Sequence, residues 1–411
     1  MQVLSIHSRY QIRGGEDESR ESEERMLREN GHLVDVFEED NRRVARLGLF
    51  RTGLRTVWSM QAYRSIRSRL QSSRYDLIHV QNFFPLISPS AYYAARAEGV
   101  PVIQTLRNYR LLCTNGLFFH KGRVCERCIG KIAPWLGAAR ACYRDSRAAS
   151  AAVVAMVAVH RALNTWRRMV NVYVSLTHFA RTKFIEGGLP ADRIVVKPNF
   201  VHPDPGVGDG DGAFALLVCR LSREKGIETV LEAWRGIGHA LPLKIVGDGP
   251  LASDVAQAAR HIPAVQYLGR LPASQVYALM GQATCVVFPS EWYETFGRVA
   301  IESFAKGTPV IASRIGAIAE VVSDGRTGLL FEPGNPRDLA DQVLRLTSSP
   351  AALARMRDNA RREFLDKYTA DVNHRIIHAI YHAAVHRSPL DRLLPQSDRP
   401  PANALPARTL A

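Results

Sequence analysis

Short apolar runs punctuate the first half of the chain: "VLSIH" at 3–7, "HLVDVF" at 32–37, "DLIHV" at 76–80, "PVIQTL" at 101–106, "VNVYVSL" at 170–176 and "IVVKPN" at 194–199. Each is too short for a helix, and longer segments of helical character separate them. Runs of this kind are strands of a parallel sheet built from βαβ units. The first loop, "SRYQIRGGED", leads into a helix that extends to about Asn30. The stretch "FVHPDPGVGDGDG" (200–212) is rich in Pro, Gly and Asp and has no hydrophobic period, so it reads as a linker. The rhythm then restarts with "FALLVCR" (214–220), "LKIVG" (243–247), "VQYLG" (265–269), "TCVVFP" (284–289) and "PVIAS" (309–313), and "TGLLFE" (327–332) closes the series.

The pattern predicts an α/β protein of two doubly wound parallel-sheet domains facing across a cleft. The expected boundaries are 1–199, a linker at 200–213, a second domain at 214–370, a terminal helix at 371–388 returning to the first domain, and a Pro-rich, disordered tail at 389–411. A ligand would sit at the carboxyl ends of the strands, between the halves.

Composition changes this picture little. The 411 residues suffice for two cores, and 46% hydrophobic with 23% charged is ordinary for a soluble enzyme. The net charge of +15 points to an anionic partner, whether nucleic acid, anionic lipid or a phosphorylated metabolite. No apolar run approaches the ~18–20 residues of a membrane span, and "AASAAVVAMVAV" (148–159) reads as a buried helix. "MQVLSIHSRYQ" enters a strand directly and lacks the pattern of an export signal, so a cytoplasmic location and reduced cysteines are expected.

Four strand ends carry candidate chemistry. Arg220 ends one strand and Lys225 follows five residues later, a cation pair suited to a diphosphate. "VGDGP" (246–250), with Gly247, permits close backbone approach, as does "RGG" with Gly14 and Gly15 in the first strand-to-helix loop. In "PSEWYETFGRVAIESFAKGTPVIAS" (289–313), Glu294 and Glu302 stand eight positions apart. A helical rise would separate their backbones by ~12 Å. Glycosidases hold their carboxyl pairs ~5–9.5 Å apart. The spacing therefore favours two clamps on one elongated ligand over a hydrolytic pair, with the amides of Phe296 and Gly297 between them.

Taken together, "RGGED…LRENGHLVDVF", "RLSREKG", "VGDGPL" and "PSEWYETFG…IE…GTPVIA" resemble, in order, the motifs of retaining GT-B glycosyltransferases of family four, whose signature is E-x7-E. The resemblance implies two Rossmann-like domains, the N-terminal one on the acceptor side and the C-terminal one holding a nucleotide diphosphate sugar. It implies that Glu302 holds the ribose hydroxyls and Glu294 lies near the donor sugar. Arg220 and Lys225 would bind the diphosphate, with Glu294, Arg220 and Lys225 forming the catalytic set. Gly14, Gly15, Gly247, Phe296 and Gly297 would supply donor contacts. It further implies a metal-independent hexosyl transfer that retains the anomeric configuration, onto a glycan or lipid-linked acceptor, in cell-surface polysaccharide or glycolipid synthesis. Arg107 stands where the family often has a His touching the donor sugar, Cys219 replaces a Gly, and Ser303 replaces an Ala. A nucleotide-sugar binder without transfer is the alternative that Arg107 suggests; a basic nucleic-acid-binding protein is the alternative suggested by charge alone.

Two further features lie outside these motifs. Cys113, Cys125, Cys128 and Cys142 fall within thirty residues, either as a structural zinc site stapling a long loop or as four reduced thiols. In 44–58, Val44, Leu47, Phe50, Leu54, Val57 and Trp58 share a helical face beside Arg51 and Arg55. This is either a helix docking on an anionic membrane or one packed on the N-terminal sheet with an arginine rim, and Gly48 and Gly53 weaken it as a helix.

Overall fold

In the computed structural model the described residues are 1–11 and 14–390. Arg13 of the first glycine loop and the tail beyond residue 390 lie outside them. The N-terminal sheet contains β1 (Gln2–Arg9), β2 (Leu33–Asp40), β3 (Leu77–Asn82), β4 (Val102–Thr105), β7 (Val172–Ser175) and β8 (Ile194–Val196), in the order β2-β1-β3-β4-β7-β8. A two-stranded antiparallel ribbon, β5 (Phe119–His120) with β6 (Arg123–Val124), stands apart from it. The C-terminal sheet contains β9 (Ala215–Val218), β10 (Leu243–Val246), β11 (Val265–Tyr267), β12 (Cys285–Phe288), β13 (Val310–Ser313) and β14 (Gly328–Phe331), in the order β11-β10-β9-β12-β13-β14. Every pairing within these two sheets is parallel. All twelve apolar runs form strands, each within three residues of the predicted bounds. The central runs are apolar because helices cover both faces of each sheet, while the edge strand β2 alternates and leaves Leu33 67% exposed.

In each sheet the strand order reverses beside the first strand, β1 or β9. The carboxyl ends of these strands therefore open onto one crevice, as doubly wound sheets require. After the last helix of the second half, the helix Ala370–His386 crosses back to the N-terminal sheet. Its Tyr381 hydroxyl lies 2.8 Å from His79 Nδ1, and its Asn373 takes a hydrogen bond from Lys197 Nζ at 2.9 Å. Lys197 also pairs with Glu23 at 2.6 Å, both side chains being 2% exposed.

Two expectations about helices need correction. Residues 148–159 belong to the helix Arg147–Ala162, which buries only one face: Val153, Met156 and Val157 point inward while Val159 is 41% exposed. The segment Val44–Val57 is not one continuous helix. Gly48 sits at φ 74°, ψ 166° and kinks it. Beyond the kink it packs on the helix Arg147–Ala162, with Gly53 facing Ala152, and leaves Leu49, Phe50 and Leu54 outside at 66%, 78% and 58% exposure.

Candidate active site

The cleft between the sheets encloses about 310 Å³, and both halves contribute to its wall. Gly15, Glu16, Ser19, Arg107 and Asn199 come from the N-terminal half. Cys219, Arg220, Lys225, Trp292, Glu294 and Phe296–Arg298 come from the C-terminal half. Eight of the residues singled out in the sequence thus meet in one place: Gly15, Arg107, Cys219, Arg220, Lys225, Glu294, Phe296 and Gly297.

β12 ends at Phe288, and the loop that follows turns its polar side chains back on themselves. Glu294 Oε1 accepts from Ser290 Oγ at 2.9 Å, from Trp292 Nε1 at 3.0 Å, and from the Lys225 ammonium. Lys225 arrives from the turn after β9. Burial pulls the Lys225 ammonium toward neutrality, but Glu294 outweighs it, so its pKa stands above the ordinary value. Both side chains keep some exposure, 20% for Lys225 and 11% for Glu294. A charged lysine is therefore held at the cleft wall with one fixed partner, and it has donor capacity to spare.

The same loop is tied across the cleft. Thr295 Oγ1 donates to the carbonyl of Arg107 at 2.9 Å, and Tyr109 Oη donates to the carbonyl of Glu294 at 3.2 Å. Gly297 then starts the helix Arg298–Ala305 in a left-handed conformation, φ 101°, and a Cβ there would lie 2.8 Å from Ile318 Cδ1. No other residue fits that turn without displacing Ile318. The start of this helix, residues 297–299, thereby lines the cleft, where an anion would gain from its free amides.

Arg107 occupies the N-terminal wall, buried. Its Nε and Nη2 donate to Gln81 Oε1 at 2.9 and 2.6 Å, and its Nη1 donates to Asn199 Oδ1 at 3.3 Å. Burial lowers its pKa, against the opposing pull of Glu23 and Glu16. Burial likewise pushes the Cys219 thiol up to about 12, so in the cleft it is a neutral, small neighbour. Ser303 is buried and donates to the carbonyl of Thr308 at 2.7 Å, which satisfies the extra hydroxyl.

Three residues expected at the donor do not line this cleft. Gly14 caps the helix Gly15–Glu29 and donates its amide to Asp17 at 3.2 Å. Gly247 lies beneath Cys219, where a Cβ would come within 1.9 Å of that carbonyl oxygen, so its role is to let β9 and the loop after β10 approach. Glu302 sits a turn inside its helix and accepts from Arg298 Nε at 2.7 Å. Burial raises its pKa despite that pairing. Arg298 was not singled out in the sequence. It lines the cleft and also reaches Ser19 Oγ at 3.4 Å and Glu18 at 3.8 Å in the opposite half. An arginine four residues before a glutamate on a helix is a visible signal of such a pair.

The four cysteines of the long loop gather in one neighbourhood. Burial, then Cys113, Cys142 and Cys125, push the Cys128 thiol up to about 11. They do not close on a common centre as they stand, since no three of their sulfurs lie within 4.8 Å of one another among the described residues. The Cys113 thiol is turned to Asn115 Oδ1 at 3.0 Å, and Cys142 Sγ faces His120 Nδ1 at 3.8 Å.

Among the described residues no helix is long and apolar enough to cross a membrane. Comparison with known proteins matches each half separately. Residues 20–199 match the glycosyl transferase 4-like domain, and residues 204–363 match the glycosyl transferases group 1. An uncharacterized glycosyltransferase of Methanocaldococcus jannaschii is 31% identical over 193 residues, 46% of this chain and 54% of the relative. A glycogen synthase of Mycobacterium tuberculosis is 34% identical over 159 residues, 37% of this chain and 38% of the relative. The alpha-D-kanosaminyltransferase of Streptomyces kanamyceticus is 26% identical over 279 residues, 66% of this chain and 67% of the relative. The first two matches thus span about half the relative's length or less. Among solved structures, Anabaena HepE in complex with UDP superposes with a TM-score of 0.67 at 17% identity, over 93% of this chain and 100% of HepE. Sucrose-phosphate synthase from Thermosynechococcus elongatus gives 0.68 at 17% identity, over 94% and 100%. With two facing parallel sheets and a family match on each, the chain belongs to the group 1 glycosyltransferases, in the GT-B architecture.

Proposed function

We propose that this protein transfers a hexosyl unit from a nucleotide diphosphate sugar to a glycan or lipid-linked acceptor, retaining the anomeric configuration and without a catalytic metal. The observation that carries the reading is the Lys225–Glu294 pair at the cleft wall, beside Arg220 and the helix amides after Gly297. Lys225 and Arg220 would bind the diphosphate, and the helix amides would share its charge. Glu294 would hold hydroxyls of the donor sugar. The bond from the anomeric carbon to the diphosphate oxygen breaks, and the acceptor oxygen bonds that carbon on the same face. The acceptor's proton passes to the departing diphosphate. Glu302, half-buried behind Arg298, would take the ribose hydroxyls once nucleotide enters, with Arg298 shifting its other bonds toward Ser19 and Glu18.

Glycan or glycolipid synthesis at the cytoplasmic face of a membrane is part of the same reading. Leu49, Phe50 and Leu54 form an exposed apolar ridge on the acceptor half, and Arg51 and Arg55 stand beside it. Apolar side chains flanked by arginines match an anionic bilayer in both chemistry and charge. The alternative of binding without transfer rests on Arg107, which Gln81 and Asn199 already hold. Incubating the protein with UDP- and GDP-sugars and lipid-linked or glycan acceptors tests the reading. Donor-dependent stabilisation with product formation supports it, stabilisation without product favours the binder, and neither outcome with any donor overturns both.

A further inference from the structure

The helix Ala370–His386 carries a histidine at every fourth position: His374, His378, His382 and His386. That spacing sets them along one face. The first two meet His32, from the turn before β2 in the N-terminal half. His32 is buried, His374 half-buried and His378 exposed. One ring nitrogen from each lies within 4.8 Å of the other two. The His32 ring is crossed against both partners, at 76° and 71°, so ring edges converge there instead of stacking.

The spacing matches a coordination sphere. His32 Nε2 and His374 Nε2 are 3.3 Å apart. A tetrahedral zinc with nitrogen ligands at ~2.0–2.1 Å has ligand–ligand edges of ~3.3–3.4 Å. His32 Nδ1, buried, has no hydrogen-bond partner, so nothing on that side of the ring competes for its orientation. The outer pair of the ladder is a built-in control. The rings of His382 and His386 lie 4.2 Å apart, but among the described residues they do not belong to a group of three donors.

We propose that His32, His374 and His378 bind a divalent transition cation of the kind imidazole favours, with Zn2+ the best match in geometry. Water completes the sphere on the exposed side, at His378. The cation joins positions 342 apart in sequence and pins the returning helix to the edge of the N-terminal sheet. The site lies away from the sugar-transfer cleft, so it is independent of the proposed reaction.

The test uses the full chain, carrying a purification tag that has no histidines, stripped with a chelator and titrated calorimetrically with Zn2+. One saturable binding event is expected, with a thermal midpoint that rises with Zn2+ concentration. His378→Gln, on the exposed side and tolerant of change, should weaken that event by at least ~10–100-fold, the loss seen even for residues that only support a metal ligand. His32→Gln should do the same. The double variant His382→Gln, His386→Gln and the variant Cys128→Ser should leave it intact. Absence of saturable binding overturns the proposal, and so does binding that survives His378→Gln. Binding that disappears only with the outer histidines or only with Cys128 also overturns it, and assigns the metal to those residues.

Discussion

Two lysine–glutamate pairs in this molecule make the same contact in opposite settings. Lys197–Glu23 lies under the N-terminal sheet, both side chains 2% exposed. Lys225–Glu294 lies on the cleft wall, at 20% and 11%. The sealed pair is saturated. Glu23 also takes Gln81 Nε2 at 2.6 Å, and Lys197 also reaches Asn373 at 2.9 Å on the returning helix. There burial outweighs Glu23, and the Lys197 ammonium falls below its ordinary pKa. In the cleft Glu294 outweighs burial, and the Lys225 ammonium rises. The difference teaches that an ion pair's partners matter more than its length. One pair locks the fold with nothing left to bind a ligand. The other keeps a cation charged, oriented and within reach of an anion.

The comparison is broken most directly by removing the sealed lysine. Lys197→Met leaves Glu23 buried and uncompensated, and should destabilise the protein by ~3–5 kcal/mol in denaturant unfolding. Adding Glu23→Leu should recover much of that loss, because two buried charges are then gone together. The pair also has a pH signature. Burial opposes the Glu23 charge, but Lys197 and its neighbours hold the carboxyl well below its unfolded value of 4.5. Its stabilisation is therefore complete above pH 4.5 and fades as pH falls through the folded value. The doubly substituted protein should show a shallower acid loss in unfolding scans from pH 7 to 3.

In the cleft the expected effects turn from folding to binding. Lys225→Ala should cost less stability than Lys197→Met, since Glu294 keeps Ser290 and Trp292 as donors and some exposure. It should weaken nucleotide diphosphate binding by ~1.5–3 kcal/mol, the scale of a charge-assisted hydrogen bond. Glu302→Ala should cost nucleotide binding a similar or smaller amount, because the ribose is neutral and Arg298 must first shift its bonds. Calorimetry with UDP and GDP reads both. The smallest effect per residue is expected at the surface: Arg51→Glu with Arg55→Glu should cost ~1 kcal/mol or more per residue in sedimentation with anionic vesicles, and salt should mimic it. Vesicle binding indifferent to these changes removes the membrane role.

The strands were legible because each is a short, mainly apolar run bounded by Gly, Pro or polar turns, and all but the edge strands are buried on both faces. The ribbon β5–β6 was not, since two residues per strand carry no period. The cleft was legible where a motif names a residue at a strand end, as with Lys225 and Glu294. It was illegible where the partner comes from far away: Lys197 and Glu23 lie 174 positions apart, and His32 and His374 lie 342 apart. The packing of the first helix against the N-terminal sheet brings the first pair together, and the packing of the returning helix brings the second. Gly247 shows the converse. Its motif marked a ligand loop, while the structure uses the missing side chain to admit the Cys219 carbonyl.

In the proposed reaction the cleft pair divides its work, Lys225 on the diphosphate and Glu294 on the sugar. Calorimetric titration of UDP or GDP into Glu294→Ala, read beside turnover, tests it most directly. The variant should bind the nucleotide diphosphate nearly as the wild type does, because Lys225 and Arg220 remain. Turnover should fall steeply, because the lost contact is to the reacting sugar. A Glu294→Ala protein that loses the nucleotide as fully as Lys225→Ala does, or that turns over at the wild-type rate, would contradict it.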